Sequence, residues 1–284
     1  MRIVRLLTYL FLATILTSCE KFSLEETSSN DEVENTSESD GNVTLHIKGA
    51  DTDTYSRITC SFFSMGTKAK NVNQTNTATG FGEVKVKLAE GQYDLIMIAH
   101  NGEGNATVSS ADKVTFYKNK VTDTFYYYGT LAVEGTDGEE RTIESNRAVA
   151  KIRLHINDTI PETAKRIKFY YTGGSSTLDC TTGYGNVNSR QTEERDMSTT
   201  CKDYDIYTFP HSDGKKLHIT ITVYDQQGSV LATKELSDVE VKRNYITTCS
   251  TSLFNGTSSG GGTTGTDTEF KFDPTWEGHI EVEF

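Results

Sequence analysis

Residues 81–99 read FGEVKVKLAEGQYDLIMIA, and this stretch decides the fold class. From 81 to 88, apolar and polar residues alternate, which is the period of a β-strand with one buried face. Glu90 and Gly91 then provide a turn, and the apolar run that follows is typical of a more fully buried strand. No segment of the chain has a convincing helical period of useful length, so the sequence favours an all-β fold.

Strand patterns of the same kind recur along the chain and form two sets, separated near residue 145. The second set opens with NRAVAKIRLHI at 146–156. Short strands separated by turn residues are typical of β-sandwiches. We therefore predict a sandwich domain at 42–145, a second at 146–254, and a terminal segment at 255–284.

Two polar stretches interrupt the strand patterns. Residues 66–80 consist mainly of Lys, Asn, Thr and Gly, and we expect a long polar loop there. Residues 173–203 are rich in Gly, Ser, Thr and charged residues. So long an excursion predicts either a loop with local order or an exposed functional surface.

The N-terminus carries an export signal, MRIVRLLTYLFLATILTSC at 1–19. Arg2 and Arg5 precede an apolar run that is too short to cross a hydrocarbon core of about 30 Å comfortably. The run ends in Leu-Thr-Ser-Cys, the lipobox pattern, which predicts a signal peptide at 1–18 and acylation of Cys19, for example by palmitate. An ordinary secretory signal with a nearby cysteine is the alternative. Residues 19–41 are acidic with little to bury, and predict a disordered tether.

Composition and motifs argue against several classes of function. The chain has a formal net charge of −12, which disfavours binding to nucleic acid because the phosphate backbone is also negative. It lacks GxSxG, HExxH and P-loop motifs and any CxxC spacing. We therefore expect no enzyme activity, no cofactor and no metal site.

Four cysteines follow the lipobox, at positions 60, 180, 201 and 249. An even number in an exported chain permits disulfides. Cys180 and Cys201 could pair across a loop. Cys249 lies in an alternating strand, where a buried free thiol fits equally well.

The C-terminus combines a linker with an amphipathic end. Residues 255–268 read NGTSSGGGTTGTDT, which is typical of a flexible linker. The strand pair that follows is marginal alone in water and must pack against a sheet. That sheet is either its own, with the pair as an edge hairpin, or that of a neighbouring molecule, by strand donation. The donor-strand candidates are Phe270, Phe272, Trp276, Ile280, Val282 and Phe284.

Several stretches together resemble a known family. They are FGEVKVKLAEGQYDLIMIAHN (81–101), VTDTFYYYG (121–129), NRAVAKIRLHINDTIP (146–161), KFYYTGGSSTLD (168–179) and VEVKRNYITTCSTSLF (239–254). In this order they are similar to FimB/Mfa2-type fimbrial subunits of Bacteroidales, within the fimbrillin group. The resemblance implies two transthyretin-like, Greek-key β-sandwich domains in series.

The resemblance also implies a role in short pili that mediate adhesion, with lipidated subunits that assemble with other fimbrial subunits at the outer membrane. In polymerising members an arginine-specific protease removes the first strand, and the C-terminal strand of the next subunit fills the groove. By analogy Arg141 and Arg147 are cleavage candidates. Anchor members keep the first strand, so the sequence leaves the subunit type and the adhesion ligand open.

A surface glycan-binding lipoprotein is the alternative function. The aromatic residues at 125–128, together with Tyr170 and Tyr171, could stack on sugar rings. In strands, however, such residues usually belong to the core.

Overall fold

The computed structural model describes residues 41–50, 54–135, 138–255 and 276–284. Within these ranges it contains twenty strands and a single 3-10 turn, Tyr117–Asn119, which confirms the all-β prediction. The strands of the first half are β1 (Val43–Ile47), β2 (Arg57–Ser64), β3 (Thr67–Thr75), β4 (Glu83–Val86), β5 (Gly91–His100), β6 (Thr107–Ser110), β7 (Lys113–Thr115), β8 (Thr124–Val133), β9 (Glu139–Ile143) and β10 (Asn146–Arg147).

Ten more strands make up the second half. They are β11 (Ala150–Ile156), β12 (Arg166–Thr172), β13 (Leu178–Asp179), β14 (Tyr184–Gly185), β15 (Gln191–Asp196), β16 (Asp203–Thr208), β17 (Leu217–Tyr224), β18 (Val230–Val239), β19 (Tyr245–Thr251) and β20 (Gly278–Glu283).

The first half is a sandwich of two sheets, in the orders β4-β1-β9 and β10-β8-β5-β2-β3. Strand β1 is central in the smaller sheet, antiparallel to β4 and parallel to β9. Its alternating residues Val43, Leu45 and Ile47 are 0%, 0% and 6% exposed and meet Leu95 and Met97 of the larger sheet in one core. The alternating apolar residues of β1 therefore lie on the buried face of this sandwich.

The second half repeats this arrangement with the sheets β16-β11-β19-β20 and β15-β12-β17-β18. Ile152 and Leu154 of β11 pack against Phe169 and Ile221 of the opposite sheet. In the first of these sheets β11, β19 and β20 run parallel, and β20 is the outermost strand.

A fifth sheet joins the two halves, with the order β14-β13-β7-β6. Leu178 of β13 pairs with Val114 of β7, so the sheet takes strands from both halves. Phe116, Phe209 and Trp276 belong to the apolar cluster that surrounds it. The excursion at 173–203 therefore supplies strands β13, β14 and β15, and two of these tie the sandwiches together.

The prediction of a polar loop at 66–80 is wrong. Most of this stretch is β3, which pairs antiparallel with β2. Because β3 is the outermost strand of its sheet, seven of its nine residues are exposed or half-buried and can be polar while its backbone is still paired on one side.

Candidate functional site

The C-terminal strand docks along one sheet edge. Strand β20 pairs in parallel with β19, from Tyr245 opposite Gly278 to Ser250 opposite Glu283. After it, the Phe284 amide donates to the Ser250 carbonyl at 3.1 Å, and the Thr251 hydroxyl donates to the Phe284 carbonyl at 2.8 Å. The described part of the terminal segment therefore packs in its own chain, as a parallel edge strand and not as an edge hairpin.

The apolar side of β20 is only partly covered. Ile280, Val282 and Phe284 are each half-buried, while the intervening residues are exposed. Of these three, only Phe284 packs against the core of the second sandwich, and no residue of β20 is fully buried in it. Strand β20 is thus peripheral to the sandwich that carries it. Two further donor-strand candidates, Phe270 and Phe272, lie outside the described residues.

Trp276 is the anchor of the docked tail. It is 4% exposed and belongs to the apolar cluster shared by the two sandwiches. The guanidinium of Arg147 lies 3.9 Å from the centre of its ring, and the Lys151 ammonium lies at 4.8 Å. Desolvated cation–π contacts of this kind contribute about 2 kcal/mol each. The next amide, that of Glu277, donates to the Asn244 carbonyl at 2.9 Å and fixes the start of the strand.

Arg147 is held on every side by neighbouring groups. Its Nε and Nη2 donate to the two carboxylate oxygens of Asp123 at 2.8 and 3.1 Å, and Nη1 donates to Asn244 Oδ1 at 3.2 Å. Its guanidinium also lies 4.6 Å from the ring centre of Phe125 and contacts Trp276 on the tail. The side chain is 7% exposed. It links the first sandwich, the second sandwich and the C-terminal segment.

These contacts bear on the two cleavage candidates. An arginine-specific protease must bind the arginine side chain in its specificity pocket, and in this fold the guanidinium of Arg147 is enclosed. Cutting there therefore requires the region to open. Arg141 is partly exposed on β9, where its Nη1 donates to the Thr130 carbonyl at 2.6 Å and its Nη2 lies 3.6 Å from Glu139. Arg141 is the more accessible of the two, but it lies in β9 and Arg147 lies in β10, so a cut at either arginine falls far beyond β1 and would not by itself release that strand.

The suggested disulfide is not present in the structure. Cys180 and Cys201 are both free thiols. Cys180 is 2% exposed in the shared core, where burial raises its pKa. Cys201 is exposed ahead of β16, and its thiol donates to the Asp203 carbonyl at 3.3 Å. The pairing failed as a prediction because the chain between them folds into strands that separate a core position from a surface position.

The aromatic residues considered for sugar binding do not form one surface. Phe125 and Tyr127 pack against the core of the first sandwich, and Tyr126 against the shared cluster. Tyr171 is fully buried, whereas Tyr128 and Tyr170 are 38% and 37% exposed. Alternation along β8 and β12 sends neighbouring rings to opposite faces, so these strands offer isolated rings.

The lipidation candidate, Cys19, lies outside the described residues, as do the signal peptide and almost all of the tether. Within the described ranges, no helix is long and apolar enough to span a membrane. The same part of the chain brings no three His, Cys, Asp or Glu side chains into a metal-binding group.

Sequence reasoning selected Trp276 and Arg147 but did not connect them. It also missed Asp123 and Asn244, which hold the Arg147 side chain. No local signal marks either residue. Asp123 lies 24 positions and Asn244 lies 97 positions from Arg147 in the chain, and only the fold brings them together.

Comparison with known proteins places these features in context. A family model described as a family of unknown function, DUF6562, matches residues 52–284. No curated protein matches the chain.

Several solved structures are similar to this chain. A proposed adhesin from Bacteroides ovatus is 13% identical, with 70% of this chain and 84% of that one covered, at a TM-score of 0.47. The fimbrial anchor protein Mfa2 from Porphyromonas gingivalis is 9% identical, with 68% and 81% covered, at 0.38. The tip fimbrial protein Mfa3 from the same organism is 12% identical, with 68% and 80% covered, at 0.35. These neighbours include two fimbrial proteins.

Proposed function

The chain belongs to DUF6562, a family of unknown function, and we propose that this member is a non-catalytic, lipid-anchored fimbrial subunit that joins neighbouring subunits by β-strand exchange. The observation that carries the proposal is the pairing of an amphipathic C-terminal strand with a peripheral docking site. The strand follows a linker rich in Gly, Ser and Thr, and only its anchor residue Trp276 is fully buried.

Strands β20 and β1 carry the same pattern. The end of the chain reads Ile-Glu-Val-Glu-Phe at 280–284, and β1 reads Val-Thr-Leu-His-Ile at 43–47. In both, every second residue is apolar. Those residues are 0–6% exposed in β1 but only half-buried at 280–284.

This difference provides a driving force for exchange. If β1 were removed from one subunit, a groove between β4 and β9 would open in its place. A β20 strand from a neighbour that entered this groove would bury its apolar side chains fully. Full burial of such a side chain contributes about 1.5–3 kcal/mol, so completing a half-burial contributes roughly 1 kcal/mol per residue.

The lipobox supports placement of the subunit at a membrane surface. Acyl chains on Cys19 partition into a bilayer by about 0.8 kcal/mol for each buried CH₂ group, and two chains anchor a protein stably. We place the protein in the fimbrium at the outer membrane, with other fimbrial subunits as its partners and adhesion as its role. An anchor subunit would retain β1 and present β20, whereas a polymerising subunit would lose β1.

Strand exchange can be tested on intact cells. We expect that partner subunits co-purify with the full chain from the cell surface, and that they no longer co-purify with a variant that lacks 269–284. The pair of substitutions Ile280→Asp and Val282→Asp should do the same, because it places charges on the side that must be buried. As a matched control, Glu281→Gln with Glu283→Gln changes the exposed side of the same strand and should leave assembly intact.

Unchanged co-purification after the deletion would refute strand donation. Anchoring is tested separately, by labelling with a palmitate analogue. Cys19→Ala should remove the label and release the protein from membranes, and a label that persists in this variant would contradict the lipobox assignment.

A further inference from the structure

A cavity opens where the two sandwiches meet, away from the C-terminal strand. Its volume is about 210 Å³. The first half contributes residues 100–104 and the segment around the 3-10 turn, while the second half contributes Glu193, Arg195 and Tyr207. Ligand sites commonly measure about 300–1,000 Å³, so this one suits a single ring and its substituents.

Two glycines shape one wall of the cavity. A Cβ atom at Gly102 would lie 2.9 Å from His100 Nδ1, and one at Gly104 would lie 2.9 Å from the Cβ of Tyr117. The loop can therefore run close to both side chains only because these positions have no side chain. The Gly102 amide donates to His100 Nδ1 at 2.9 Å, and the His100 ring meets Phe116 edge-on at 5.3 Å. This side of the cavity is thus firmly built.

The opposite wall carries a buried carboxylate with unused capacity. Glu193 is 5% exposed, and its Oε2 accepts a hydrogen bond from Arg195 Nη1 at 2.8 Å. Among the described residues, Oε1 accepts none. Oε1 therefore keeps an acceptor site that a ligand can use. A hydroxyl group placed in the cavity would satisfy it.

The charges around the cavity balance. Glu103 and Glu193 are negative, and Lys120 and Arg195 are positive. His100 adds no charge near neutral pH, because burial lowers its pKa to about 4. A site with no net charge favours a neutral polar ligand over an anion or a cation. Tyr117 adds a ring that is 51% exposed and can cover an apolar face of such a ligand.

We infer that this cleft binds one ring of a neutral saccharide. Ring hydroxyl groups donate to Glu193 Oε1 and accept from Arg195, while the C–H face of the sugar packs against Tyr117. The inference goes beyond the proposed fimbrial role, since the cleft shares no lining residue with β20 and needs no strand exchange.

The experiment measures binding of single sugars to the full chain by saturation-transfer NMR and calorimetry. The probes are the methyl glycosides of glucose, galactose and mannose and of N-acetylglucosamine, with glucuronic acid and glucosamine as charged counterparts. At least one neutral glycoside should bind with a Kd below about 10 mM and more tightly than its charged counterpart. Tyr117→Ala and Glu193→Gln should each weaken that binding by about tenfold, which corresponds to roughly 1.4 kcal/mol.

Tyr170→Ala provides the matched control, since it removes a ring of similar exposure from a strand outside the cleft, and it should leave the Kd unchanged. Thermal unfolding of each variant shows that the fold is kept, and Arg195→Gln, at a partly exposed position, replaces Glu193→Gln if the latter unfolds. The inference is overturned if no neutral glycoside binds, if charged sugars bind more tightly, or if Tyr117→Ala binds as well as the native chain.

Discussion

Replacing Trp276 by alanine should undock the C-terminal strand without unfolding the second sandwich. The indole is 4% exposed and contacts the cationic groups of Arg147 and Lys151. Truncating a buried Trp costs about 3–5 kcal/mol. Because Trp276 and β20 are peripheral to the core around Phe169, this cost should fall on the docking equilibrium of 276–284. Opening of the strand should then become about 10²- to 10⁴-fold more frequent.

Hydrogen exchange followed by mass spectrometry measures this opening directly. Amides of 278–284 should exchange faster in Trp276→Ala by the same factor, while amides of β12 and β17 keep their native protection. Trp276→Phe, which keeps a ring beside Arg147, should show a smaller increase. Tyr128→Ala, which removes an exposed ring, should show none. Native protection of 278–284 in Trp276→Ala, or equal loss of protection in β12 and β17, would refute the role of Trp276 as an anchor.

Three further predictions concern other parts of the chain. Burial lowers the pKa of His100 from 6.5 to about 4, so the unfolded state takes up a proton first as the pH falls. The stability due to neutral His100 is therefore complete above pH 6.5 and lost towards pH 4, by roughly 3 kcal/mol. Denaturation at pH 7 and pH 4 should show this loss of stability in the native chain and in His218→Gln, the control at an exposed site. The loss should be smaller in His100→Gln. Equal losses in all three proteins would contradict the burial argument. Iodoacetamide should label the exposed Cys201 in the folded protein within minutes, as measured by peptide mass mapping. Early labelling of the buried thiols of Cys60, Cys180 and Cys249 would contradict the structure. The Asp158 carboxylate accepts hydrogen bonds from the backbone amides of 253–255 at 3.1, 2.6 and 2.8 Å. Asp158→Ala should therefore lower the free energy of unfolding, measured by urea titration, by about 2–3 kcal/mol. A loss under about 0.5 kcal/mol would show that these hydrogen bonds do not stabilise the fold.

Local pattern was a reliable guide to strands but not to their partners. The stretch 81–99 contains two strands, as its alternation indicates, yet β4 pairs with β1 and β5 pairs with β2 and β8. Consecutive strands thus lie in opposite sheets of one sandwich. Residues 66–80 show that a strand can also form without such a pattern. Strand β3 lacks an apolar period, and it is a strand because its backbone pairs with β2.

The candidate sites divide in the same way. The sequence singled out the terminal residues because Ile280, Val282 and Phe284 alternate after a linker. It could not indicate that Trp276 would meet Arg147, or that Glu193 would face a loop some ninety residues earlier in the chain. Those contacts depend on how the two sandwiches join through β7 and β13.

The sequence by itself determined the all-β class, the positions of most strands and the amphipathic character of the C-terminal end. These properties follow from side-chain period and turn residues, which act over a few positions. Only the tertiary structure decided that the tail lies parallel to β19, that Arg147 is enclosed and that a cleft forms between the sandwiches. Each of these depends on the packing of segments far apart in the chain, where shape, charge and backbone pairing must be satisfied together.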